Sequence, residues 1–174
     1  MPDPAEIAVI TSVLPSALTF LFQRVEKLLS PRGSEPETGV AAPGGLVGTL
    51  QLPLHPDNDQ LQDRWSELEQ LRDAVAIYAR GDAPVSPSDQ PLLRNLSRLR
   101  GALEDVYGQR LTFEGEDRPS SGPFVQQDLK DVTGEVTGMD ADEIGGTARV
   151  VQSTDSVARG AKLTGMKARR IGMP

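Results

Sequence analysis

The phrase VTGMDADEIG at 136–145 returns 27 residues later as LTGMKARRIG at 163–172. Thr, Gly, Met, Ala, Ile and the final Gly recur in place, and Val136 becomes Leu163. The remaining columns invert their charge. Asp140, Asp142 and Glu143 become Lys167, Arg169 and Arg170, and one residue upstream Glu135 becomes Lys162. A stretch written twice builds the same backbone twice, so the retained columns set the chain path and the inverted ones face water. Residues 131–146 carry five acids and no base, and residues 159–170 five bases and no acid.

The Gly, Val and Thr content gives this tail a β-like character. Val150 and Val157 suggest a fainter middle copy, so the expected unit is 13–14 residues long, arranged as a short meander or a small solenoid. In a meander the first and third strands flank the second, and their charges do not touch. In a tail closed on itself, acidic and basic copies pair within one chain. In an open tail, the acidic copy of one chain meets the basic copy of the next. Each cross-strand charge pair is worth only about 0.2–1 kcal/mol, so the inversion selects partners more than it adds stability. The competing reading is a Gly-rich tail whose charge blocks keep it in solution.

Upstream, the spacing predicts helices. Asp3, Pro4 and Glu6 form an N-terminal cap and capping box. Apolar residues then run through Leu14, Leu18, Leu21 and Val25 at helical spacing, with Phe20 and Phe22 widening the stripe. Pro15 is expected to kink this helix. The uncharged run from Ile7 to Phe22 extends roughly 24 Å as helix, short of a hydrocarbon core of roughly 30 Å. The amphipathic face therefore packs on the domain or a partner, or lies on a membrane surface.

Residues 31–49 are rich in Pro and Gly and read as a flexible linker. LVGTLQLPL at 46–54 suggests one strand, with Pro53 marking an edge. Asp57 with Gln60 caps a helix whose face is Leu61, Trp65, Leu68, Leu71, Val75 and Tyr78, stopping at Gly81. Ser86 or Ser88 caps another, with face Leu92, Leu96, Leu99, Leu103 and Val106, ending at Gly108. The short connection favours an antiparallel helical hairpin, with RLTF at 110–113 as a further strand. The charges of these helices, Arg64, Glu67, Arg98, Arg100, Glu104 and Asp105 among them, read as solvated faces.

The expected fold class is thus α+β: an amphipathic N-terminal helix (1–30), a linker (31–49), a helical-hairpin domain with one or two strands (50–115), a loop (116–130) and a repeated β-like tail (131–174). A net charge of −7 argues against general nucleic-acid binding, and the basic block has no interleaved aromatic for stacking bases. Without cysteine there is neither disulfide nor thiolate metal site. The single histidine, His55, reads as a solvated loop residue, and the acids after it lack the spacing and glycine of a calcium loop. No cofactor, metal or small-molecule substrate is implied.

The expected function is that of a non-catalytic interaction or assembly protein in the cytoplasm. Its contacts, to a protein partner or to itself, run through Glu135, Asp140, Asp142, Glu143, Lys162, Lys167, Arg169 and Arg170, and through the helix stripe Leu14, Leu18, Phe20, Leu21, Phe22 and Val25. The alternatives are a peripheral adaptor docking at the inner membrane face through that stripe, and, more remotely, a small hydrolase using His55 with Asp57 or Asp59.

Overall fold

The computed structural model describes residues 12–132, 135–145 and 149–172. It is a mixed α+β structure with three helices, α1 (Leu14–Leu28), α2 (Asn58–Ala79) and α3 (Gln90–Tyr107). The strands are β1 (Gln109–Arg110), β2 (Gly122–Val132), β3 (Glu135–Gly145), β4 (Arg149–Val157) and β5 (Lys162–Gly172).

Both long helices begin where an aspartate removes orphan donors. Asp57 Oδ1 accepts from the backbone N–H groups of Asp59 and Gln60, each at 3.0 Å. Asp89, rather than the expected serines, caps α3 by accepting from Leu92 N at 3.0 Å, and its second oxygen accepts from the Tyr78 hydroxyl at 2.8 Å. Ser86 and Ser88 close the preceding turn by bonding each other at 2.7 Å. Among the described residues helix α1 runs from Leu14, so Pro15 stands in its first turn, where no intrahelical donor is lost. The expected kink rests on the part of the helix before residue 12, which lies outside the described residues. The capping box at Asp3 and Glu6 lies outside the described residues.

The helices pack on one another through their stripes. Leu68, Leu71 and Val75 of α2 meet Leu92, Leu96, Leu99, Leu103 and Val106 of α3, and α1 adds Leu14, Leu18, Phe20, Leu21, Val25 and Leu28 to the same core. Trp65, expected on the buried face of α2, is 37% exposed.

The segment expected as a flexible linker is pinned to this core. Glu37 and Leu54 exchange backbone hydrogen bonds at 2.9 Å, and Arg24 of α1 forms an ion pair with Glu37 at 2.8 Å. Val47 N donates to Thr112 O at 2.8 Å, and Ser121 N donates to Val47 O at 2.7 Å. Residues 46–54 thus make isolated bridges to three different partners instead of one strand. The side-chain amide of buried Gln109 completes the strap by bonding both backbone groups of Gln51, at 2.8 and 2.9 Å.

The helical charges also depart from the solvated reading. Arg100 is 2% exposed and pairs with Glu116, while Glu104 receives Arg118 at 2.8 Å. Burial, and then the nearby Arg118, lower the Arg100 pKa, against the opposing pull of Glu116 and Glu104. Glu116 also accepts from Phe113 N at 2.8 Å, and Glu104 from Leu111 N at 2.7 Å. The loop after α3 is therefore held by two carboxylates that bind a guanidinium and a backbone donor each. Arg64 bridges Glu67 on its own helix and Asp105 on α3, and Arg98 reaches back to Glu67 at 3.0 Å.

Beyond this unit the chain makes two passes. β1 pairs antiparallel with the first two residues of β2. β2 then pairs parallel with β4, and β3 pairs parallel with β5. Parallel neighbours need a crossover, and here the crossover between β2 and β4 is itself a strand, β3. The second pass, β4 then β5, lies in register on the first.

Candidate interaction surface

The two copies of the repeated phrase are β3 and β5, and they are hydrogen-bonded neighbours. Val136 stands opposite Leu163, Thr137 opposite Thr164, Met139 opposite Met166, Ala141 opposite Ala168 and Ile144 opposite Ile171. Every pair keeps the 27-residue interval of the sequence repeat. The inverted columns therefore face each other along the strands: Glu135 opposite Lys162, Asp140 opposite Lys167 and Glu143 opposite Arg170. Asp142 and Arg169 occupy the same strands between these pairs.

On β5, Lys162, Lys167 and Arg169 are exposed, while Leu163, Thr164, Met166 and Ala168 are half-buried. From Met166 to Arg169 exposure alternates residue by residue, as the two-residue period of a strand sends successive side chains to opposite faces. Lys162 Nζ lies 3.1 Å from Glu135 Oε1, with both side chains more than 60% exposed. The eight charged positions of the repeats thus share one paired sheet.

The companion pairing escaped the sequence reading. Val125 stands opposite Val150, Gln127 opposite Gln152 and Val132 opposite Val157. Val150 and Val157 are therefore the second copy of β2 positions, not a middle copy of the repeated phrase. The signal that finds them is V-x-Q at 125–127 and 150–152, 25 residues apart. The two intervals differ because the corners differ. Two residues separate Val132 from Glu135, and four separate Val157 from Lys162. The longer corner is a turn closed by Ala161 N to Ala158 O at 3.0 Å, with Gly160 at φ 90°, a geometry that favours glycine at its third position. The repeating unit is one whole pass of two strands, about twice the 13–14 residues expected.

The other predicted stripe is differently employed. Leu14, Leu18, Phe20, Leu21 and Val25 are buried against α2 and α3, and Phe22 is half-buried against the same core. Arg24 covers the Phe20 ring, its guanidinium 5.4 Å from the centroid. Among the described residues no helix is long and apolar enough to cross a membrane.

His55 is exposed at the edge of an open cleft of about 240 Å³ lined by Gln51, Leu52, Pro53, Tyr107, Gly108, Gln109 and Pro123. None of these carries a carboxylate. The one hydroxyl, of Tyr107, belongs to a buried side chain whose pKa is pushed up by burial and by Glu37, against Arg24. Asp57 spends Oδ1 on its helix cap. Among the described residues no cluster of three or more histidine and acidic side chains is placed to hold a metal ion. No family model, curated protein or solved structure matches the chain.

Proposed function

We propose that the chain is a non-catalytic interaction or assembly protein, whose C-terminal strands form a small solenoid of two coils carried by the three-helix unit. The observation that carries this reading is the register of β3 on β5, which sets a row of acids against a row of bases. A pairing worth so little in stability per contact has its main effect on which strand may lie beside which. That is the property an assembly element needs. The contact role rests on the coils, because the apolar side of α1 is occupied within the core.

The test is in-cell cross-linking of the full chain, wild type against Lys162→Glu/Lys167→Glu/Arg169→Glu, with circular dichroism to verify that the helices persist. The wild type is expected to join a complex that the variant does not. Identical association of both would remove the coils as the contact element. A substrate turnover that survives this variant but is lost in His55→Ala would replace the reading with a hydrolase. Membrane docking through α1 requires side chains such as Phe20 and Leu21 to leave the core. Flotation of the wild-type chain with anionic or neutral vesicles would bring that reading back.

A further inference from the structure

We infer that the two-coil stack is open and that its occupant is a second copy of the chain, the basic strand β5 of one molecule lying on the acidic strand β3 of the next. This rests on the interaction reading above and names its partner.

Among the described strands, β3 pairs only with β5, and β4 only with β2, so each has an outer edge. On β2, the short strand β1 takes Gly122 and Pro123, whereas the pairing with β4 begins at Phe124. The edge from Phe124 to Val132, which another copy's β4 would use, is therefore outside the β1 contact. Such an edge is a template for a further strand, and the sequence supplies one with the correct register. The columns Thr137/Thr164, Met139/Met166, Ala141/Ala168 and Ile144/Ile171 are identical, so a third coil meets the same side chains as the second. The pair Gln127/Gln152 keeps the same residue type in register in the same way.

Charge chooses the orientation. Placing β5 on the next molecule's β3 continues the order acid, base, acid, base in each column. Placing β3 on β3, or β5 on β5, sets like charges opposite one another, which is unfavourable. An acid between two bases attracts both, so the contact forms whether or not each charge is already paired within its own chain. The resulting contact is head-to-tail and does not close, so it propagates linearly. With coils spaced about 4.8 Å apart, successive molecules follow at about 9.6 Å. A single helix with its side chains is already about 10 Å across, so the stack requires successive three-helix units to be offset around its axis.

The chain contains no cysteine, which permits a direct test. Glu135→Cys and Lys162→Cys are prepared as separate full-length variants, mixed, and oxidised mildly. In the proposed stack the two positions of neighbouring molecules lie one coil apart, within the 4.4–6.8 Å Cα range of a disulfide. Equal positions lie two coils apart, beyond it. The mixture is expected to form a cross-linked dimer and either variant alone to remain mostly uncross-linked. Sedimentation of the wild type is expected to give species that grow with protein concentration. A wild type that stays monomeric at every concentration overturns the proposal, as does cross-linking of each variant with itself as readily as with the other. If the monomeric chain still joins a host complex that the β5 charge-reversed variant does not, self-stacking fails while the interaction reading stands.

Discussion

Lys162 donates a hydrogen bond to Glu135 at 3.1 Å across 27 residues of sequence, the interval that also separates the two copies of the repeated phrase. The repeat is therefore a record of contact: the copies resemble each other because they lie on each other. Similar apolar residues stack favourably in neighbouring parallel strands, and similar charges do not. The retained and inverted columns follow that distinction.

Because both side chains of this pair are exposed, its energy is small. Lys162→Ala or Glu135→Ala is expected to cost less than about 1 kcal/mol. Lys162→Glu costs more than Lys162→Ala, and Glu135→Lys/Lys162→Glu recovers most of the loss. Urea denaturation of the four variants measures the coupling, which falls as salt rises. Equal losses for the single and double reversals would show that the columns do not interact.

The buried pair behaves differently. Glu116 and Arg100 have side chains 1% and 3% exposed, and Glu116 also receives Phe113 N. Glu116→Ala leaves a guanidinium enclosed without that partner, at a cost of roughly 3–5 kcal/mol. Asp73→Ala, which removes a 70% exposed partner of Arg72, is expected to stay within about 1 kcal/mol of wild type. Chemical denaturation midpoints of the two variants give the comparison.

Two glycines predict opposite signs. A methyl group on Gly101, inside α3, meets no neighbouring atom within 4 Å, so Gly101→Ala should stabilise the chain by about 0.5–1 kcal/mol through helix propensity. Gly48 has φ 96°, and a methyl group there would stand 2.6 Å from the Ser121 carbonyl oxygen. Gly48→Ala should destabilise by about 1–3 kcal/mol and loosen the strap from the start of β2. Thermal melting of both variants tests the pair of signs.

Tyr107 predicts an alkaline limit. Burial, the larger cause, and Glu37 raise its phenol pKa in the folded chain. A raised pKa means that the protonated phenol favours the fold. Its contribution is complete below the unfolded value near 10 and is lost as pH climbs through the folded one. The melting temperature should therefore drop steeply above about pH 10. The Tyr107 hydroxyl is buried with no hydrogen-bond partner among the described residues, so Tyr107→Phe should cost little at neutral pH and flatten the alkaline drop. A pH series of melts checks this. The chain's other tyrosine, Tyr78, is also raised, chiefly by its hydrogen bond to Asp89, so ultraviolet titration of the variant isolates its ionisation.

Legibility differed along the chain for physical reasons. The Leu92–Val106 stripe and the Asp57 cap were readable because helical contacts lie within four residues of each other. The local rule does not single out the cap of α3, since Ser86, Ser88 and Asp89 all satisfy it. Tyr78, arriving from α2, distinguishes them. Arg100 looked like a surface residue because nothing within its helix announces that Glu116, on a later loop, will fold over it.

The repeat shows where the boundary falls. By itself the sequence determined that 136–145 and 163–172 share a backbone and that their charges are complementary, because composition and interval are visible in one dimension. Only the tertiary structure decided that the copies pair in parallel, with β2 on β4 beside them, and that the 27-residue interval spans two strands. Strand pairing is a choice among distant partners made by register and corner length, and the difference between 25 and 27 residues appears only once both pairings are formed.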